Sequence, residues 1–239
     1  MAFGQSPSGP KPLPPRPYPL NFGSQGKKPK SITARKRLMF ALERNQIQKL
    51  LGGVNLQSPF GRRDYLLILF LFHTGLRIGE ACRLTVNLVA HQATPREELH
   101  LPAHLTKTRK ARVIPLNDIA QACVTKLLAF NASRGFSTAP LAPLFVWKNH
   151  RKLPPREAQR ILQNLREKVG LSAKATPHTL RHSFASELVR AGVTLPTVKS
   201  LLGHQWLSST QIYTHTSNQE RRDAVRSLGG PAWPRPRRD

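Results

Sequence analysis

Apolar residues recur along most of this chain at the three-to-four-residue spacing of amphipathic helices, with little of the alternation that marks strands. "ALERNQIQKLLGG" (41–53) keeps that spacing and closes on two glycines, a helix stop. "YLLILFLF" (65–72) is apolar all round, which predicts a helix over 62–75 at the centre of the core. Gly75 breaks that helix, and "RIGEACRL" (77–84) starts another. Residues 98–105 and 111–116 read as two short strands joined by the basic turn "TKTRK", the only β element predicted, with Pro102 weakening its first strand. Further helices are predicted at 117–131, 155–169, 178–191, 195–203 and 209–227. The sum is a mainly α fold with a small antiparallel β-sheet (α+β), one domain over residues 38–228.

The flanks are different. Residues 1–37 are rich in Pro, Gly, Ser, Lys and Arg, cannot bury a core, and read as a disordered basic arm. Residues 229–239 form a short basic tail of the same character. Across the whole chain 38 Lys and Arg face 12 Asp and Glu, a formal charge of +26. A chain so charged repels itself unless a polyanion neutralises it, and double-stranded DNA is the expected partner. A basic tail on an ordinary domain, or a membrane-surface protein, would give a similar balance. Cys82 and Cys123 are too few for a disulfide scaffold or a four-thiolate zinc site, so reduced thiols are expected. The apolar run 65–72 is too short to cross a bilayer and the start lacks a signal-peptide region, which predicts a soluble, cytoplasmic protein with no membrane partner.

Candidate chemistry begins with "PHTLRHSFASELVRAG" (177–192). Leu180, Phe184 and Leu188 make its buried stripe, and His178 and Arg181 share a neighbouring face. An imidazole beside a guanidinium suits an anionic oxygen better than a metal. His178 and His182 have the spacing of a zinc helix, but the glutamate of that motif is missing and Arg181 would repel a cation. "ELVRAGVTLPTVKSLLGH" (187–204) has the outline of a helix-turn-helix DNA reader, although its apolar second helix favours core packing. In "LLGHQWLSSTQIYTH" (201–215), His204 and Tyr213 would point apart on one continuous helix. Gly203 and the capping "SST" put a turn between them, so two helices can bring them to one site. Arg77 opens the helix after Gly75, and Glu80, one turn on, is placed to orient it or a nearby imidazole. Lys107 lies in the basic turn. The set has two Arg, two His, a Lys and a Tyr, without the carboxylate cluster that holds Mg²⁺.

In order and spacing, "TGLRIGEACRL", "TKTRKARVIPL", "PHTLRHSFASELVRAGV" and "LLGHQWLSSTQIYTH" resemble the catalytic domain of the tyrosine recombinases of the phage-integrase family. The resemblance covers roughly residues 42–218. It places the motif arginine on Arg77, the acidic residue on Glu80, the hairpin lysine on Lys107, the His-x-x-Arg pair on His178 and Arg181, the Gly-His histidine on His204 and the nucleophile on Tyr213. It implies a site-specific recombinase or integrase that cuts and rejoins DNA through a 3′-phosphotyrosyl link, with no metal, cofactor or ATP. Lys107 is then the general acid on a mobile hairpin, and the two arginines stabilise the phosphate. The resemblance also implies a homo-tetramer on paired DNA sites, with residues 218–228 the candidate for docking on a neighbouring protomer. Many relatives carry an N-terminal helical domain that clamps DNA. Here the basic arm stands in that place, which implies a compact form, with the arm or an accessory DNA-binding protein supplying the grip. Type IB topoisomerases share much of this chemistry, and a non-catalytic helix-turn-helix regulator would use the helix pair alone.

Overall fold

The computed structural model describes residue 1 and residues 41–172, 174–203 and 218–229. The chain divides into two units, Met1–Arg37 and Leu38–Asp239, and the second carries the described helices and strands. Its central element is α2 (Gly61–Thr74), buried on nearly every face, as its unbroken apolar run requires. It packs against α5 (Asp118–Ser133) on one side and α7 (Pro177–Arg190) on the other, while α1 (Arg44–Gly52) also rests on it. α6 (Pro155–Lys168) and α8 (Leu195–Leu202) precede and follow α7, and α9 (Asn218–Arg226) leads into a closing 3₁₀ turn, Ser227–Gly229. No described helix is long and apolar enough to cross a membrane. Cys82 and Cys123 are free and buried, and burial pushes both thiols up, that of Cys82 to about 12.

The principal hairpin pairs β3 (Glu98–Leu101) with β4 (Arg112–Pro115), antiparallel, in the register Leu99↔Ile114 and Leu101↔Arg112. The first strand stops at Leu101 instead of running to 105. Pro102 cannot donate to the ladder, and Ala103–Leu105 winds into a 3₁₀ turn. A second hairpin, β1 (Ala90–His91) with β2 (Thr94–Pro95), was not predicted. Its two-residue turn needs left-handed backbone at Gln92 (φ 47°) and Ala93 (φ 64°), and neither residue type signals that conformation. So, among the described residues, there are two two-stranded ribbons rather than one. The helix expected over 77–84 shrinks to a single turn, α3 (Ile78–Ala81), and another single turn, α4 (Val86–Val89), follows it. Of the helix expected at 209–227, residues 209–217 lie outside the described residues.

Helix α7 is a wall between two apolar clusters. Leu180 belongs to the main core, whereas Phe184 and Leu188, on the same stripe, join Val198, Leu201, Leu202, Ala224, Val225 and Leu228 in a second cluster. The inner face of α8 is therefore committed to packing, as its apolar residues suggested. Residues 224–228 cover the α7–α8 groove of their own chain. Asn117 fastens that cover. Its Oδ1 caps α5 by accepting from Ala120 N (2.9 Å), and its Nδ2 donates to Val225 O (3.2 Å) and to His73 Nδ1 (3.0 Å). Burial holds His73 neutral, with its pKa pushed down to about 3.

Replacing Asn117 by Ala removes a helix cap and strands a buried carbonyl and a buried imidazole nitrogen. The expected loss is about 2–3 kcal/mol, read as a lower urea midpoint with an unchanged m-value. A loss below about 0.5 kcal/mol would show that Asn117 does not hold these elements together.

Candidate active site

The site grows from the end of α2. Gly75 takes the left-handed conformation (φ 61°), and a Cβ there would lie 2.5 Å from Phe184 Cδ1, so only glycine lets α7 pass this close. That closeness brings Arg181 under the bend. Its Nη1 donates to Gly75 O (2.6 Å) and its Nη2 to Leu202 O. Both carbonyls sit at helix C-termini, where the backbone dipoles favour a cation. Burial and the like charges of Arg77 and Arg112 push the Arg181 guanidinium down to about 9, Glu80 opposing, so it is still charged at neutral pH.

Past Gly75 the chain runs extended through Arg77 into the single turn of α3. Glu80, third in that turn, reaches back so that its Oε2 accepts from Arg77 N (2.9 Å), the reach of a capping box. Its Oε1 accepts from Arg77 Nη1 (3.0 Å). Arg112, the first residue of β4, then closes a fork on the same carboxylate, Nη1 to Oε1 at 3.1 Å and Nη2 to Oε2 at 2.7 Å. Four donors fill the four acceptor positions of a side chain that is 2% exposed. Burial alone would raise the Glu80 carboxyl. The Arg112 hydrogen bonds and charge outweigh it, then the Arg77 bonds, and hold the group below the usual carboxylate range.

Arg77, Glu80, Lys107, His178 and Arg181 line one cleft of about 770 Å³. So five of the seven residues named from sequence share a site. Lys107 and His178 are exposed at its rim. The other two, His204 and Tyr213, lie outside the described residues. Three titratable lining residues were not singled out as site residues: Arg83, Arg166 and His182. Burial, then the charges of His178 and Arg181, pushes the His182 imidazole below its ordinary value. Arg112 was also missed, because its partner Glu80 is thirty-two residues away in sequence. The signal open to a reader was the buried acid itself, since a carboxylate expected among cations in a core needs more than one partner.

The chemistry this arrangement allows is narrow. Five cationic side chains face the cleft with Glu80 the one carboxylate among the described lining residues, and Glu80 is already saturated. The cleft is built for an anion. A metal ion would meet guanidiniums where it needs acceptors.

The sequence model of the phage integrase family matches residues 41–220. The chain belongs to the phage integrase family. Among members of that family, tyrosine recombinase XerD of Halalkalibacterium halodurans is 32% identical over 194 residues, which is 80% of this chain and 62% of that one. Tyrosine recombinase XerC of Bacillus subtilis is 33% identical over 198 residues, again 80% and 62%. This integrase-family chain thus spans a little under two thirds of the length of these relatives. Its fold is also similar to that of XerA recombinase (TM-score 0.58, 24% identity, 81% of this chain and 66% of that one). XerH site-specific recombinase, bound to a palindromic difH substrate, gives a TM-score of 0.57 at 23% identity over 80% of this chain and 53% of that one.

The depressed Glu80 carboxyl has a consequence for stability. A group whose pKa falls on folding stabilises the folded state above its unfolded value, and that contribution disappears as pH falls through the folded value. Glu80→Gln should therefore cost about 3 kcal/mol near neutral pH. The gap to wild type should close on acidification below the usual carboxylate range. A gap independent of pH would show that the Glu80 charge does not support the cleft.

Proposed function

We propose that this protein is a site-specific DNA recombinase or integrase that cuts and rejoins DNA through a 3′-phosphotyrosyl intermediate on Tyr213, without metal or ATP. The observation that carries this reading is the pair of fixed guanidiniums, Arg77 and Arg181, facing one cleft with a large excess of positive charge. Family membership and the likeness to site-specific recombinases support it.

The reaction asks for three services. The Tyr213 oxygen attacks phosphorus, forming the O–P bond while the bond to the 5′ oxygen breaks. Its phenol has an ordinary pKa near 10, so the proton must leave during attack, and His178 or His204 is the acceptor. Negative charge growing on the non-bridging oxygens is met by Arg77 and Arg181, whose forks are oriented beforehand by Glu80 and by two backbone carbonyls. The departing 5′ oxygen takes a proton from Lys107, at the rim of the same cleft. The reverse steps with a different 5′-hydroxyl rejoin the strand, because the phosphotyrosyl link conserves the bond energy.

Double-stranded DNA is the proposed substrate, and the formal charge of +26 suits it. Strand exchange between two sites implies a homo-tetramer during synapsis, with an accessory DNA-binding protein or the basic arm 1–37 adding grip. Residues 38–228 are proposed as the catalytic domain, and 229–239 as a basic tail.

The test uses nicked duplexes from DNA flanking the gene, which trap a covalent adduct because the short cleaved strand diffuses away. Wild type should give an adduct on a denaturing gel and Tyr213→Phe should give none. An adduct that persists in Tyr213→Phe would overturn the nucleophile. Specific binding without any wild-type adduct would favour a helix-turn-helix regulator, and relaxation of supercoils without site preference would favour a topoisomerase.

A further inference from the structure

The turn that bears Lys107 is anchored at its base and exposed at its tip, where Thr106 closes it by bonding to Lys110. Lys107, Arg109, Lys110 and Ala111 are exposed, and Arg109 is held in left-handed backbone (φ 51°). Below them, both sides of the hairpin are tied to the short helix α3. On the incoming side, Arg83 donates Nη2 to Leu105 O (2.7 Å) and Nε to Gly79 O (2.8 Å). On the outgoing side, Arg112 occupies the last rung of the ladder, opposite Leu101, and forks onto Glu80. Arg83 is exposed and its bonds compete with water. The Arg112 side chain is 8% exposed, so its fork keeps its full strength.

The position of Arg112 links three parts of the cleft. Through Glu80 it sets the carboxylate that holds both the backbone and the guanidinium of Arg77. Through β4 it fixes the strand that leaves the Lys107 turn. Its stem also passes under the end of α8, where a Cβ on Gly203 would lie 3.0 Å from Arg112 Cδ. Gly203 is the residue before His204.

We propose that Arg112 is a positioning residue: by clamping Glu80 from the base of the Lys107 hairpin, it holds the proton donor and the Arg77 phosphate clamp in register. This rests on the recombinase reading above. Arg112 does not itself touch the reacting phosphate. Without it the Lys107 hairpin can drift away from α3, and Glu80 loses the partner that aims it, so two services weaken together. A residue that only stabilised the fold would lower the folding midpoint and leave the chemistry of the folded fraction unchanged.

The experiment compares single-turnover cleavage of two nicked duplexes, one with the ordinary scissile phosphate and one with sulfur in place of its 5′-bridging oxygen. The thiolate departs without a proton, so the sulfur substrate bypasses the general acid. Lys107→Ala supplies the reference for lost acid and Glu80→Gln the reference for a misaimed Arg77. Arg112→Gln should cleave the oxygen substrate about a hundredfold more slowly, and sulfur should recover about tenfold, with a residual loss like that of Glu80→Gln. DNA affinity should stay within about twofold. Arg112→Lys keeps the charge but not the fork, so it should recover much of the folding midpoint and little of the rate.

Equal losses on both substrates, accompanied by an equal loss of DNA affinity, would make Arg112 a phosphate contact and overturn the proposal. Wild-type rates in a folded Arg112→Gln or Arg112→Lys protein would reduce it to a structural residue and overturn the proposal too. Failure of wild type to cleave either duplex would instead overturn the recombinase reading, and the positioning role with it.

Discussion

The cleft depends on one buried carboxylate. Glu80 stands where three guanidiniums converge, and it forms hydrogen bonds with two of them and electrostatic attraction with the third. Without an anion there, Arg77, Arg112 and Arg181 would repel one another, and Arg77 and Arg112 would lose the hydrogen bonds that fix their direction. With it, Arg77 and Arg112 are fixed in direction while the cleft as a whole stays strongly positive. That combination of oriented donors and uncompensated charge is what a transition state gaining negative charge needs, since nothing has to reorganise when the charge appears.

Arg181 reaches the same end by a different route. Its anchors are backbone carbonyls at the ends of α2 and α8, so its aim depends on where those helices stop. Gly75 and Gly203 set both stopping points with left-handed backbone. Phe184 and Leu188, one and two turns along α7 from Arg181, lie in the apolar cluster that holds α8 and residues 224–228 in place. Packing in the second core and the direction of a guanidinium in the cleft are therefore the same structural fact. Asn117, remote from the cleft in sequence, belongs to that support because it fastens Val225 to the end of α2.

How much was legible in the sequence follows from the range of each interaction. Helices with a long signal, an unbroken apolar run in α2 and apolar periodicity in α5, α6 and α7, were readable to within a residue or two. The grouping of Arg77, Glu80, Lys107, His178 and Arg181 at one cleft was readable because each lies in a short motif of distinctive order. The Glu80–Arg77 contact was legible for the same reason, since three residues of one helical turn join them. Arg112 was invisible because a strand register and a tertiary contact place it, and no local pattern encodes either. The β1–β2 ribbon escaped because its turn uses Gln92 and Ala93 where glycine or asparagine would have advertised it. Pro102 announced the early end of β3, but the 3₁₀ turn beyond it depends on how Leu105 finds its place in the core.

The central claim is that the anion cleft serves a covalent step at one tyrosine. The chain has three, Tyr18, Tyr65 and Tyr213, and Tyr65 is buried in α2. The most direct measurement is to trap the protein on DNA, digest the DNA and the protein, and locate the nucleotide-bearing peptide by mass spectrometry. The account predicts a single adduct, on the phenolic oxygen of Tyr213. An adduct on Tyr18 or on a serine or lysine would contradict it, and so would cleaved DNA with no nucleotide left on the protein.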